Sequence, residues 1–257
     1  MKAELEDTYR KEYKRMLNFA FRLVARRDIA EDIVQDTFVA ALESIDSYKG
    51  DASLSTWLFG IATNKARDYL KSKNRWSSDI LEKNKEKAMQ NPAFLKKMVD
   101  ISQTASGTFS IRENIDFCFT CIGKTLPIEQ QICILLKDIY DYKVREIEQI
   151  TELSNSQVKH ALENGRKRMS RLFFDKCSLI NQHGNCQQCT EMNGFYNPKA
   201  ETRRELMALR MVRERESSTK EALYELRTLL VKAIQPLESK GVEFHLCHLE
   251  HAASVAE

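Results

Sequence analysis

Cys177, Cys186 and Cys189 stand in a C-x8-C-x2-C spacing, with Gly184 and Asn185 available to turn the chain between them. Thiolates at that spacing suit a soft divalent ion such as zinc, and His183, Cys247 and His248 are candidates for a fourth ligand. A second pair, Cys118 and Cys121, lies i, i+3 on one helical face. Buried, those two thiols act as small apolar filling; brought to Cys186 and Cys189, they would complete a four-thiolate site. Zinc, a redox thiol switch and inert cysteines all remain open from the spacing. The chain holds seven cysteines, and no export signal is read at its start, so thiols or metal ligands are expected in preference to structural disulfides. A dithiol enzyme built on Cys118-Phe119-Thr120-Cys121 would need an exposed helix start and a lowered pKa. Here the pair falls mid-helix among Phe117, Phe119 and Ile122. With no Gly-rich phosphate loop, paired catalytic carboxylates or nucleophile elbow, the expected work is binding rather than catalysis; no cofactor is required, and zinc at the cysteine cluster is the one candidate.

The other chemistry in the sequence is cationic and local. The net charge of +3 is too small to indicate a partner, so clustering has to carry the reading. Ile147, Ile150 and Leu153 make an apolar stripe that stops near Ser154, and Val158, Ala161, Leu162 and Met169 resume it at helical spacing. Two helices joined by a short turn are predicted, with Ser154 or Asn155 as the N-cap of the second. That helix would place Asn155, Ser156, Gln157, Lys159 and His160 at base edges in a major groove. Gln157 could bind adenine bidentately, and Lys159 or His160 could reach guanine or phosphate. Arg166, Lys167 and Arg168 would meet phosphates.

These residues need a scaffold, and composition says which kind. Charged residues make up 30% of the chain and hydrophobic ones 42%, with eight glycines and four prolines, which leaves little room for sheet. The expected fold is all-α: two small helical domains joined by a flexible linker, followed by a helical extension. No membrane span is expected, since apolar runs are short, and the location read from this is cytoplasmic. The first helix buries Tyr9, Tyr13, Met16, Leu17, Ala20 and Leu23. In the second, N-capped by Asp28, Ala30, Ile33, Val34, Phe38, Ala41 and Ile45 face inward, while Glu31, Asp32, Gln35 and Asp36 face outward. A third carries Trp57, Leu58, Ile61, Ala62, Tyr69 and Leu70 on its apolar side, Trp57 being read as core more than contact. The boundaries expected are 1–72 for the first domain, 73–110 for the linker, 111–175 for the second domain and 176–257 for the extension. A transient helix near 94–99 is the one element expected in the linker, and one long helix, 200–234, in the extension.

The run Asp28-Ile29-Ala30-Glu31-Asp32-Ile33-Val34-Gln35-Asp36-Thr37-Phe38, followed by 48–58 and by Ile61-Ala62-Thr63-Asn64 with Asp68, resembles region 2 of a bacterial sigma factor. Leu126-Pro127-Ile128-Glu129-Gln130, with Glu146-Ile147, Ser154 and Val158-Lys159, resembles region 4. The layout is similar to the extracytoplasmic-function subfamily. Against that pattern, Asp141 and Glu152 replace turn glycines, Glu148 replaces an alanine, and Glu163-Asn164-Gly165-Arg166 replaces an Arg-rich tetrapeptide. The resemblance implies that Asp28, Glu31, Asp32, Gln35 and Asp36 dock on core RNA polymerase. It implies that Tyr48, Lys49, Ser53, Trp57, Asn64, Lys65 and Arg67 capture the melted minus-ten element, and that the basic helix reads the minus-thirty-five element. Promoter DNA and core polymerase are the implied partners, and an anti-sigma protein is a further candidate for the apolar stripe of the last long helix. The reading from a different class is a stand-alone helix-turn-helix regulator with a metal- or redox-sensing extension, which leaves the upstream block without a task.

Overall fold

The computed structural model describes residues 1–104, 107–186, 188–196 and 202–256. The helices are α1 (Lys2–Val24), α2 (Arg27–Ser44), α3 (Leu54–Lys71), α4 (Ile80–Met89), α5 (Pro92–Ser102), α6 (Ile111–Gly123), α7 (Ile128–Ile134) and α8 (Val144–Thr151). They are followed by α9 (Asn155–Lys176), α10 (Gln188–Tyr196), α11 (Thr202–Ala208), α12 (Arg210–Arg213), α13 (Lys220–Lys232) and α14 (Val242–Ala256). The fold is all-α, and among the described residues the extended pairing is one isolated bridge between Cys177 and Cys186. No described helix is long and apolar enough to cross a membrane.

The chain divides into two compact units, and the division departs from the expected boundaries. Unit 1 holds 1–74 and 127–165; unit 2 holds 75–126 and 166–257. Within unit 1, α1, α2 and α3 bury Met16, Phe19, Leu23, Ala30, Val34, Leu58, Phe59 and Ala62. The ring of Tyr9 stacks on Phe38 at 4.3 Å and its hydroxyl donates to the Val34 carbonyl at 3.3 Å. Helices α7 and α8 and the first half of α9 belong to the same unit. Arg15 donates to the Tyr140 carbonyl at 2.6 Å and to the Tyr142 hydroxyl at 3.2 Å, and buried Arg22 donates to the Tyr140 hydroxyl at 3.0 Å. Gln131 donates to the Arg22 carbonyl at 3.0 Å. Charge-assisted hydrogen bonds such as the buried one from Arg22 are among the stronger ones a chain can make. None shows in the periodicity of either block, which reports a helix's apolar face but not what covers it.

Unit 2 overturns the expected linker. Residues 73–110 carry α4 and α5. Asn91 caps α5 by accepting from the Phe94 amide at 3.0 Å, with Pro92 in the first turn where its missing N–H costs nothing. Both helices pack on α14; Phe94 stacks on His251 at 4.0 Å and Phe109 on Phe244 at 4.2 Å. Ile80, Leu81 and Met98 are buried there. Interspersed Lys and Glu diluted their spacing into an unpatterned stretch. The long helix expected over 200–234 is also corrected. Its first two residues lie outside the described ones; the rest is α11, a break at Leu209, α12, a turn and α13, the last capped by Thr219 accepting from the Ala222 amide at 3.2 Å. In α13, whose apolar stripe was offered above to an anti-sigma protein, Leu223, Tyr224 and Val231 are buried and the helix packs on α6, while Leu229 of that stripe stays 58% exposed.

Candidate nucleic-acid and polymerase interface

The acidic face of α2 forms as expected. Asp32, Gln35 and Asp36 are exposed, and Val39, 52% exposed, continues their row one turn further. Sequence reasoning passed over Val39 because it sits inside an apolar run; its i, i+3, i+4, i+7 relation to Asp32, Gln35 and Asp36 was the available signal. Asp28 is not the N-cap. Helix α2 starts a residue earlier, at Arg27, and Asp28 in its first turn pairs with Arg26 at 2.9 Å, which holds its carboxyl below the usual range. Glu31 is half-buried and paired with Arg27 at 2.9 Å.

The loop before α3 presents a built aromatic step. Ser53 is the N-cap of α3, accepting from the Thr56 amide at 3.0 Å. Tyr48, its hydroxyl bonded to the Ala52 carbonyl, lies 5.1 Å from the half-buried Trp57 ring, centroid to centroid. Trp57, expected to be core, therefore retains an accessible face beside Tyr48. Lys49 is exposed.

Further along α3 the picture differs from the expectation. Lys65 faces Asp36 of α2 at 3.6 Å. Arg67 is held as a fork by Glu129, at 2.9 and 3.1 Å, donates to the Thr151 carbonyl at 3.1 Å and also engages Asn64. Helix α3 packs on α8 within unit 1; a Cβ placed on Gly60 would lie 3.7 Å from the Ile150 carbonyl. Arg67 thus points at the Glu129 side chain and the Thr151 backbone rather than at solvent, with Asn64 held against it from the same helix.

The helix-turn-helix itself is capped as its sequence allows. Ser154 is the N-cap of α9 in a reciprocal box: the Gln157 amide donates to Ser154 Oγ at 3.4 Å, and the Ser154 amide donates to Gln157 Oε1 at 2.8 Å. Asn155, Ser156, Gln157, Lys159 and His160 are all exposed in the first two turns, as are Lys167 and Arg168 further on, with Arg166 half-buried. The expectation that Gln157 reads adenine with both amide atoms needs correction, since its oxygen is already bound in the cap; Asn155 likewise bonds Glu148. Asp141 and Glu152, standing where turn glycines were expected, adopt left-handed backbone at φ 61° and 60°. Gly165 permits α9 to lie close on α7: an added Cβ would stand 2.6 Å from Ile134 Cδ1.

Among the cysteines, Cys118 lies within electrostatic reach of Cys177, Cys186 and Cys189, whereas Cys121 reaches Cys186 only. The candidate fourth ligands His183, Cys247 and His248 are elsewhere. His183 is exposed in the loop, and Cys247 belongs to a core with Met98, Phe109 and Phe244. Buried His248 lies against Phe117.

With this geometry in place, comparison with known proteins decides the family. The model for sigma-70 region 2 matches residues 8–76 and the model for sigma-70 region 4 matches 118–169. The chain belongs to the sigma-70 family. Among the relatives of this sigma factor, a probable RNA polymerase sigma factor of Haemophilus influenzae is 26% identical over 63% of this chain and 85% of its own length. RNA polymerase sigma factor YlaC of Bacillus subtilis is 25% identical over 65% of this chain and 90% of its own. The ECF sigma-E factor of Haemophilus influenzae is 42% identical over a shorter stretch, 25% of this chain and 35% of its own. A solved sigma factor, RpoE of Bartonella quintana in complex with the anti-sigma factor NepR, aligns over 67% of this chain and 95% of that one, with 22% identity and a TM-score of 0.44. This sigma factor is of the extracytoplasmic-function type and directs RNA polymerase to promoters.

Proposed function

We propose that this sigma factor divides promoter-directed initiation among three surfaces. The exposed row Asp32, Gln35, Asp36 and Val39 of α2 docks on core polymerase; Tyr48, Trp57, Lys49 and α3 capture the melted minus-ten strand; the first turns of α9 read the minus-thirty-five element. What supports the reading most is that a solvent-facing acidic row and a capped, base-accessible recognition helix occur in one chain. A stand-alone regulator would use only the second.

Melting without ATP costs a few kcal/mol for each base taken out of the stack. Stacking on an aromatic face returns about 1 to 3 kcal/mol per base, which is what the Tyr48–Trp57 step offers. The side chains act through binding energy, with no bond made or broken, and the work takes place wherever polymerase transcribes, in the cytoplasm. Before α3 can meet DNA along its whole length, Arg67 has to leave Glu129. Glu129 is 40% exposed, so that pair contributes only about 0 to 1 kcal/mol. A phosphate that takes Arg67 also has to release its bonds to the Thr151 carbonyl and Asn64, and the α3–α8 packing opposes opening as well.

The test is run-off transcription with core polymerase and a promoter library. The full chain is expected to redirect start sites, and Asp32→Arg with Asp36→Arg is expected to abolish this while leaving the protein folded. Strong specific binding to bare duplex with no association with core would overturn the proposal.

A further inference from the structure

Four thiols from three separate stretches of unit 2 converge on one buried guanidinium. Cys118 comes from the middle of α6, Cys177 follows the last turn of α9, and Cys186 and Cys189 bracket the start of α10. Cys118 lies within electrostatic reach of the other three, as does Cys189 of Cys177 and Cys186, and all three of those relations include Arg227. The loop between Cys177 and Cys186 is closed by backbone: the Ser178 amide donates to the Cys186 carbonyl at 3.1 Å and the Cys186 amide to the Lys176 carbonyl at 2.8 Å. Gly184 makes that closure possible, because a Cβ there would fall 2.6 Å from the Cys177 carbonyl carbon and 2.8 Å from the Ser178 nitrogen. The result is a tight knuckle that presents Cys177 and Cys186 side by side, with Cys189 one short step later.

Arg227 supplies the second, independent observation. It is 2% exposed, its Nη2 donates to Cys177 Sγ at 3.4 Å, and its guanidinium carbon lies 3.7 Å from the Phe173 ring centroid. Its Nη1 is buried with no hydrogen-bond partner, and no carboxylate among the described residues pairs with it. A buried cation in that position is costly unless negative charge lies beside it. Four thiolates around a divalent ion carry a net charge of about −2, the sum of four negative charges and two positive ones, so such a centre provides what Arg227 lacks.

We propose that Cys118, Cys177, Cys186 and Cys189 form a tetrahedral zinc site, with Arg227 as its charge-compensating neighbour, tying α10 and α13 to α6 and the end of α9. As they stand, no three His, Cys, Asp or Glu side chains among the described residues are gathered at coordinating separation; binding therefore requires the thiols to draw together on the ion as it deprotonates them. Cys118, rather than His183, Cys247 or His248, is the fourth ligand that the sequence spacing left unassigned. Cys121, one turn further along α6, is not a ligand.

The experiment uses the full chain purified under reducing conditions, its metal content measured and its zinc exchanged for cobalt. One zinc per chain is expected, and the cobalt form is expected to show the visible bands of a tetrahedral thiolate site with thiolate charge-transfer absorption. Cys118→Ser should lower that charge-transfer intensity per cobalt by about a quarter, whereas Cys121→Ser should leave it unchanged. If Cys118→Ser proves insoluble, Arg227→Gln provides the reading: zinc affinity, measured by competition with a chelator, should fall about 10- to 100-fold, with Arg227→Lys recovering part of it. A metal-free protein whose thiols all remain accessible, a disulfide among these four with no bound metal, or a cobalt spectrum altered by Cys121→Ser and not by Cys118→Ser would each overturn the assignment.

Discussion

Glu152 closes α8 at φ 60°, in the turn that aims the recognition helix, and Asp141 adopts φ 61° at the turn before α8. An L residue in that region carries a steric cost that glycine escapes, and Asp offsets part of it more readily than Glu. Glu152→Gly is therefore expected to stabilise the folded chain by about 1 kcal/mol and Asp141→Gly by less, both read from urea unfolding midpoints. A loss of stability in the first variant would show that the Glu152 side chain makes a compensating contact. At the same scale, Glu129→Gln removes the charge that holds Arg67. DNA binding by the free chain is expected to rise a few-fold in fluorescence anisotropy against a minus-ten single strand, and an unchanged affinity would show that Arg67 does not meet DNA.

Helix α9 separates two kinds of contact along its length. Its first turn is exposed and capped by Ser154 and Gln157, which suits base edges, while Lys167 and Arg168 lie three turns later and suit phosphate. Replacing either of the two cations by Ala should weaken binding to every promoter alike. Each substitution should also flatten the slope of log affinity against log salt by about 0.9, measured with polymerase holoenzyme over a salt series. Sequence-dependent losses would instead put those side chains at bases. Gln157→Ala is expected to cost about 1 kcal/mol of helix stability through the lost cap, so its effect on promoter choice has to be judged against a variant that keeps an acceptor there, Gln157→Glu.

On the scale of the whole molecule, the chain's pH response is set in unit 2. His245 and His248 on α14 are buried, and burial pushes both down to about 3, with neighbouring His245 and His251 adding to the effect on His248. Above pH 6.5 both the folded and unfolded chains leave these rings neutral, and stability is complete. Below it the unfolded chain takes up protons that the folded chain refuses, so stability falls as pH drops through the window from about 6.5 toward 3. At pH 5.5 the loss is about 1.4 kcal/mol per histidine relative to neutral pH, to be checked by denaturant melts at both values, with His245→Gln and His248→Gln flattening the difference. A melt that does not change between those values would mean that the rings are wet. Much of this protein was legible along its sequence, for reasons visible in single helices: the stripes of α1, α2 and α3, the acidic row of α2 and the Ser154 cap all depend on residues within a few positions of one another, where helical geometry alone fixes which side chains share a face. The partition into units was not, nor the two helices inside the presumed linker, nor the grip of Glu129 on Arg67, nor the arrival of Cys118 and Arg227 at the knuckle of Cys177, Cys186 and Cys189. Those arrangements join segments tens of residues apart, and what selects among the possible partners of an apolar or charged face is the packing of the whole chain, which periodicity does not encode.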